Sequence, residues 1–212
     1  MKYWHLIGIL ALASCQRHKA SYSADPWLIE YKTIPGGVYV FMGQSNSYLM
    51  YNDAFTAMLN QFQIKAINGV SGINCAVSGS LLSSWAPGAV NYQNCLDKVH
   101  ASGQSVAGIV FWQGEQEATF GPASVASSWD QNFTYLMNNF RSATNSTSVK
   151  VVYIRISNRI GQPFMDQVRH AQENVFIPNG VMVDVDDVPL LDAYHYTPDN
   201  YQGILSRVLR EF

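Results

Sequence analysis

A serine, a histidine and an aspartate in this 212-residue chain have the types and spacing needed to activate a hydroxyl nucleophile. Ser45 stands in the stretch GQSN, residues 43–46, directly after an apolar run. Asp192 and His195 are three residues apart, so the carboxylate can reach one ring nitrogen while the other faces Ser45. A serine nucleophile needs such an imidazole base, and the base needs an acceptor that holds its tautomer. The pattern therefore indicates acyl transfer through Ser45, although a serine at such a place can also simply cap a helix.

A second aspartate–histidine pair, Asp97 and His100, has the same spacing. We expect it at the solvated end of a helix that precedes a strand near Val106, and therefore at the sheet edge opposite Ser45. The remaining histidines have contexts that place them elsewhere: His5 in an N-terminal leader, His18 in a polar tether and His170 in a predicted helix. His195 is thus the histidine expected beside Ser45.

An acyl-transfer site also requires hydrogen-bond donors for the oxyanion, each worth on the order of 3 kcal/mol. The candidates are the backbone N–H groups of Ser45 and Gly79 and the side-chain amide of Gln113. We expect Gln44 and Glu115 to lie behind these groups, with Glu115 holding Gln44 or Gln113 in position. The alternative for Glu115 is an ordinary surface carboxylate.

Apolar, β-branched runs that alternate with helical patterns must position these residues. The runs lack polar alternation and are predicted to be strands buried on both faces, at 38–42, 64–67, 106–112, 149–156 and 181–185. Apolar spacings of three and four predict helices at 48–62, 125–140, 164–176 and 201–212. Segment 69–88 is predicted to be a long functional loop. The alternation favours an α/β fold with a parallel sheet covered on both faces, where ligands bind at the carboxyl ends of the strands.

The N-terminus has the features of an export signal. Lys2 precedes an apolar run that is too short to span a bilayer, and residues 12–15, Leu-Ala-Ser-Cys, resemble a bacterial lipobox. We therefore expect a signal peptide at 1–15 with lipid attachment at Cys15, a polar tether at 16–35 and a folded domain at 36–212. An ordinary secretory signal cut nearby is the alternative, which would make the protein periplasmic or secreted. Cys75 and Cys95 then remain as a disulfide pair or as two core thiols.

The composition narrows the classes of partner. With 48% hydrophobic and 13% charged residues, the chain is typical of one globular domain. A net charge of -2 provides no broad positive field, so nucleic acid is not an expected partner. Neither a metal nor a cofactor is expected, and membrane attachment would come only through the N-terminal lipid.

Taken together and in this order, the four polar motifs resemble the SGNH hydrolase superfamily, in its sialate O-acetylesterase and acetylxylan esterase branch, carbohydrate esterase family 6. The motifs are GQSN at 43–46, Gly79-Ser80, WQGE at 112–115 and Asp192-x-x-His195. The resemblance spans residues 37–212. It implies a flavodoxin-like three-layer α/β/α sandwich with strand order 2-1-3-4-5 and a metal-free serine esterase. Carried over by position, it makes Ser45 the nucleophile, His195 the base, Asp192 its orienting acid, and Ser45, Gly79 and Gln113 the oxyanion hole.

The expected activity is the removal of O-acetyl groups from sialic acid, xylan or a cell-envelope polysaccharide. Two other interpretations stay open. A lysophospholipase or thioesterase of the same superfamily would use the same triad, and a surface sugar-binding protein would not turn over its ligand. Trp85, Trp112, Tyr194 and Tyr196 are candidates for stacking against a sugar ring, although aromatic residues more often belong to the core.

Overall fold

Five parallel strands form the centre of the molecule in the computed structural model, which describes residues 34–62 and 69–212. The strands are β1 (Gly37–Gly43), β2 (Val70–Asn74), β3 (Val106–Trp112), β4 (Lys150–Ile154) and β5 (Gly180–Val183). Their order across the sheet is β2-β1-β3-β4-β5, and every neighbouring pair is parallel. The predicted α/β class and the implied strand order are confirmed.

Helices connect the strands and cover the sheet. The first connection runs through α1 (Ser45–Leu49), a π-helical segment (Met50–Phe55) and α2 (Thr56–Phe62). A short 3-10 helix (Leu82–Trp85) precedes α3 (Val90–Ser102), and the later helices are α4 (Glu115–Phe120), α5 (Ala123–Ser127), α6 (Trp129–Ala143), α7 (Met165–Glu173) and α8 (Pro198–Arg210). Among the described residues, no helix is long and apolar enough to cross a membrane.

Alternate residues of the strands point into two separate cores, one on each face of the sheet. Val40 of β1 packs in the core that includes Phe133 of α6. Its neighbour Phe41 packs in the opposite core, which includes Phe55 and, from α8, Ile204. Because side chains alternate along a strand with a period of two, a strand between two helical layers must be apolar at nearly every position. This explains the continuous apolar runs of the sequence.

The structure changes the prediction for the second strand. The predicted strand at 64–67 lies outside the described residues, and β2 occupies Val70–Asn74, inside the segment predicted to be a loop. β2 is an edge strand that is only half-buried, so it lacks a continuous apolar run. Its central Gly72 lies beneath an aromatic ring: a Cβ there would stand 2.4 Å from Cε1 of Phe55. A strand that contains glycine for close packing against an aromatic ring does not produce a continuous apolar run in the sequence.

The structure also bears on two further sequence predictions, the start of the folded domain and the pairing of the two cysteines. Ile34 is buried and Tyr39 donates a hydrogen bond to the Pro35 carbonyl at 3.0 Å, so the folded domain begins before residue 36. The signal peptide, Cys15 and residues 16–33 of the tether lie outside the described residues.

Cys75 and Cys95 form a disulfide with a Cα–Cα distance of 5.2 Å, which ties the end of β2 to α3.

Candidate active site

Ser45, His195 and Asp192 form a hydrogen-bonded chain at the carboxyl edge of the sheet. Ser45 is the first residue of α1, directly after β1, and its Oγ lies 3.0 Å from Nε2 of His195. Nδ1 of His195 lies 2.9 Å from Oδ2 and 3.1 Å from Oδ1 of Asp192. Asp192 and His195 sit on the loop between β5 and α8. The arrangement has the geometry of a nucleophile, a base and an acceptor that sets the tautomer of the base.

The backbone around Asp192 keeps its carboxylate charged. Oδ1 accepts hydrogen bonds from the N–H groups of Tyr194 at 2.7 Å and His195 at 2.8 Å. The Tyr194 N–H and then the His195 side chain lower the pKa of Asp192 to about 2. A carboxylate that stays ionised across the physiological range can hold the neutral imidazole with Nδ1 protonated, which leaves Nε2 free to accept the Ser45 proton.

Gly43 allows the sharp turn that presents Ser45. Its φ is +111°, and a Cβ at this position would lie 2.1 Å from the Trp112 carbonyl oxygen. The next residue, Gln44, donates its backbone N–H to that same oxygen at 2.9 Å. The end of β1 thus rests directly against the end of β3, and only a residue without a side chain fits between them. The glycine that interrupts the apolar run is therefore a requirement of the turn.

Gly79 and His195 line the same cavity. The turn 77–80 is closed by the Ser80 N–H, which donates to the Val77 carbonyl at 3.2 Å, and Gly79 adopts a φ of +67° at its third position. The cavity has a volume of about 320 Å³. Its lining consists of Gln44, Ser45, Ser78, Gly79, Glu115, Gln116, Phe120, Tyr194 and His195. The predicted nucleophile, base and backbone donors therefore share one open space.

The structure does not support a direct oxyanion role for Gln113. Its side chain is fully buried, with 0% exposure, and its amide nitrogen donates to the Ser80 carbonyl at 3.3 Å and to Oε2 of Glu117. Its carbonyl oxygen accepts from Nε1 of Trp129 at 2.7 Å. An amide has two N–H groups, and both are occupied by these protein acceptors. Gln113 follows β3 as predicted, but its side chain turns into the core beneath the cavity.

Asn46 is a positioning residue that the sequence analysis left without a function. It is fully buried, and its amide donates to Oε1 of Glu115 at 2.7 Å and to the Tyr194 carbonyl at 3.0 Å. Its carbonyl oxygen accepts from the hydroxyl of Tyr201 at 2.6 Å. Asn46 thereby joins the helix that begins with Ser45 to the loop that carries His195. The sequence shows that Asn46 directly follows Ser45. It does not show the hydrogen-bond partners of Asn46, which are 69 to 155 residues away.

Glu115 and Gln44 are buried residues that border the cavity, and their hydrogen-bond partners differ from those expected. Glu115 is buried, so it is not a surface carboxylate, and it holds Asn46 rather than Gln44 or Gln113. Desolvation raises the pKa of Glu115 to about 7, although the hydrogen bond from Asn46 opposes this shift. The buried Gln44 accepts from the Gln116 N–H at 3.4 Å and so contacts the first turn of α4.

Most of the remaining candidate residues lie away from the cavity, and Tyr194 lines it. Asp97 and His100 are exposed on α3, whose C-terminal end precedes the start of β3, and His170 is exposed on α7. Three of the proposed sugar-stacking residues, Trp85, Trp112 and Tyr196, are buried in the cores. Tyr194 lines the cavity, and its hydroxyl lies 3.3 Å from Oγ1 of Thr119. Phe120, which the sequence analysis missed, lines the same cavity and is 73% exposed.

Within residues 34–62 and 69–212, no three histidine, cysteine, aspartate or glutamate side chains are grouped closely enough to bind a metal ion.

Comparison with known proteins assigns the family. The family model described as "Carbohydrate esterase, sialic acid-specific acetylesterase" matches residues 51–210. The chain belongs to this family. The predicted family is thereby confirmed. The match includes the cavity-lining residues from Ser78 to His195, whereas the GQSN motif with Ser45 precedes the matched region.

Individual relatives share the fold at low sequence identity. A probable carbohydrate esterase from Arabidopsis thaliana is 27% identical over 131 residues, which cover 60% of this chain and 49% of the relative. The chain thus spans about half the length of this curated relative. A solved Arabidopsis thaliana structure superposes with a TM-score of 0.69 at 19% identity, covering 82% of this chain and 96% of that one. A carbohydrate acetylesterase from Xanthomonas citri gives a TM-score of 0.60 at 13% identity, covering 83% and 55%.

Proposed function

We propose that the protein is a serine esterase that removes O-acetyl groups from carbohydrate through an acyl-enzyme. The observation that carries the proposal is the chain of hydrogen bonds from Asp192 through His195 to Ser45, at 2.9 Å and 3.0 Å, beside an open cavity. Family membership supports the choice of a carbohydrate ester.

In the proposed first step, the Ser45 Oγ attacks the ester carbonyl carbon while Nε2 of His195 takes its proton. The tetrahedral intermediate collapses when His195 gives this proton to the sugar oxygen, which leaves as an alcohol. A water molecule then loses a proton to His195 and attacks the acetyl-Ser45 carbonyl. Acetate is released, and the Ser45 hydroxyl regains its proton from His195.

The negative charge of the tetrahedral intermediate needs donors that are already in place. The N–H of Ser45 belongs to the first turn of α1, whose N–H groups have no acceptor within the helix. Gly79 lines the same cavity. We propose these two backbone N–H groups as the oxyanion donors, each worth about 3 kcal/mol of transition-state stabilisation.

Two aromatic side chains support a sugar as the alcohol part of the ester. Phe120 and Tyr194 line the cavity beside Ser45, and aromatic faces pack well against the C–H faces of a pyranose ring. A screen of acetate release from acetylated sialic acid, acetylated xylan and acetylated envelope polysaccharide tests the substrate class directly. Release from none of them, with hydrolysis of simple aryl acetates retained, would contradict the assignment to carbohydrate.

The replacement Ser45→Ala tests the catalytic proposal. We expect kcat for p-nitrophenyl acetate to fall by about 10⁴- to 10⁶-fold while thermal unfolding is unchanged, because Ala lacks only the attacking oxygen. An unchanged rate would remove Ser45 from the mechanism. If neither protein turns over any ester but both bind an acetylated glycan, the non-catalytic sugar-binding interpretation replaces this one.

A second candidate, a lipase- or thioesterase-type hydrolase with the same triad, is favoured by one observation. Phe120 at the cavity and Leu191 on the His195 loop are exposed apolar side chains that could contact a long acyl chain. Comparison of p-nitrophenyl esters of increasing acyl length distinguishes the two. We expect the highest kcat/KM for acetate, and a preference for chains of about eight or more carbons would favour the second candidate.

We also propose that the protein is exported and anchored to the cell envelope through lipid on Cys15. The disulfide between Cys75 and Cys95 supports an oxidising compartment, and the leader sequence supports export. The replacement Cys15→Ser in the full chain should release the protein from the membrane fraction. Retention of the variant in that fraction would count against lipid attachment.

A further inference from the structure

Beneath the cavity, two fully buried polar side chains support the turn that carries Gly79. Glu117 on α4 and Gln113 after β3 are both 0% exposed, and they are hydrogen-bonded to each other. One carboxylate oxygen of Glu117 accepts from Gln113 and the other accepts from the Leu82 N–H. Gln113 in turn donates to the Ser80 carbonyl. A buried carboxylate costs free energy unless its hydrogen bonds are made, so the arrangement is costly to disturb.

The turn 77–80 is also hydrogen-bonded to Gly43, the last residue of β1. The Val77 N–H donates to the Gly43 carbonyl at 2.9 Å, and the Ser80 hydroxyl lies 3.3 Å from the same oxygen. Nε1 of Trp85 donates to the Ser80 hydroxyl at 2.9 Å. Gly79, in contrast, is exposed at the tip and would have open space around a Cβ. The neighbours of Gly79 are therefore fixed while Gly79 itself faces the cavity.

We propose that Gln113 and Glu117 are positioning residues that fix the orientation of the Gly79 N–H without touching the substrate. This inference rests on the proposed function, because it assigns Gly79 to the oxyanion. Gln113 acts on Ser80, directly after Gly79, and Glu117 acts both on Gln113 and on Leu82, so the two side chains form one support. The assignment differs from a direct contact between Gln113 and the oxyanion, which would require an N–H group that the Ser80 carbonyl and Glu117 do not occupy.

A double-mutant cycle distinguishes support from direct donation. The variants are Gln113→Met, Glu117→Gln and the double variant, each assayed with p-nitrophenyl acetate. We expect each single change to lower kcat about tenfold with KM little changed, because a donor shifted by a fraction of an ångström stabilises the transition state less. Since both residues act through the same turn, we expect the double variant to lose little more than the more impaired single variant.

A boronic acid inhibitor provides a readout that a general loss of packing would not change. A small alkyl boronic acid forms a tetrahedral adduct with a serine hydroxyl and so mimics the oxyanion. Its inhibition constant should rise by the same factor by which kcat falls. Arg141→Met is the matched control, because Arg141 is also buried but contacts the Val149 carbonyl near the amino end of β4. This control should lower the thermal unfolding temperature and leave kcat unchanged.

Two results would overturn the proposal. A loss of about 10²- to 10³-fold for Gln113→Met, multiplied by a separate loss for Glu117→Gln, would identify Gln113 as a direct donor. Losses no larger than that of Arg141→Met would show that the turn needs no such support. If Gln113→Met does not fold, Trp129→Phe removes the N–H that holds the Gln113 carbonyl, together with part of the buried indole ring, and an unchanged kcat there would equally refute the proposal. Failure of the proposed function itself would appear separately, as activity that survives Ser45→Ala.

Discussion

The buried carboxylate of Glu115 should make the stability of the protein depend on pH. Desolvation raises the pKa of Glu115 from its ordinary value of 4.5 to about 7, with a further contribution from the nearby charge of Glu117. The Asn46 hydrogen bond and the nearby His195 oppose this shift. Between pH 4.5 and about 7 the folded protein therefore holds a proton that the unfolded chain has lost. Stability should fall as the pH rises through this window.

The replacement Glu115→Gln measures this effect. The shift of the Glu115 pKa corresponds to about 3 kcal/mol of destabilisation above pH 7, all of which a neutral side chain avoids. Glutamine retains an oxygen that can accept from Asn46, so the link to the His195 loop is preserved. The gain has an upper bound of about 3 kcal/mol, because Oε2 of Glu115 has no hydrogen-bond partner and the amide that replaces it would be an unpaired donor.

Urea unfolding followed by tryptophan fluorescence, at several pH values from about 5 to 8, provides the free energies. We expect the variant and the native protein to be closest in stability near pH 5 and the variant to become progressively more stable as the pH rises. Titration of other groups is common to both proteins and cancels in the difference. The same pH slope for both proteins, or a variant that loses stability relative to the native protein on going from pH 5 to pH 8, would refute the reasoning.

Two further predictions concern the catalytic loop and the disulfide. Asp192→Asn should lower kcat for p-nitrophenyl acetate by about 10³- to 10⁴-fold, because the amide favours the wrong tautomer of His195; a loss below tenfold would assign Asp192 a minor role. Replacement of Cys75 and Cys95 by serine should lower the free energy of unfolding by about 3 kcal/mol, since the bond closes a loop with a sequence separation of 20 residues. Equal urea midpoints for the two proteins would contradict this prediction.

The sequence predicted the strands that are buried on both faces, because such strands must be apolar at nearly every position. β3 and β4 lie where continuous apolar runs predicted them, and β1 differs by one residue at each end. β2 was missed because an edge strand is only half-buried, and Gly72 is required there for contact with Phe55. The apolar signal fails where close packing of backbone against an aromatic ring replaces hydrophobic burial.

In the active site, too, the sequence predicted some features and left others open. The position of Ser45 after the first strand and of His195 after the last strand predicted that they would meet, since the carboxyl ends of parallel strands share one edge of the sheet. The partners of Glu115 and Gln113 were not predictable, because two polar side chains next to a cavity can point towards it or away from it. Packing decides this direction, and the Gln113 side chain points into the core.

The sequence by itself determined the fold class, the order of the motifs and the residues that reach the catalytic edge, because these follow from hydrophobic periodicity and chain topology. The tertiary structure alone decided which buried groups hold which others. Asn46 joins the Ser45 helix to the His195 loop across 148 residues, and the Glu117 carboxylate accepts from the Leu82 N–H, 35 residues before it. Hydrogen bonds between distant segments leave no periodic pattern in a sequence, since they depend on the distances and directions that packing creates.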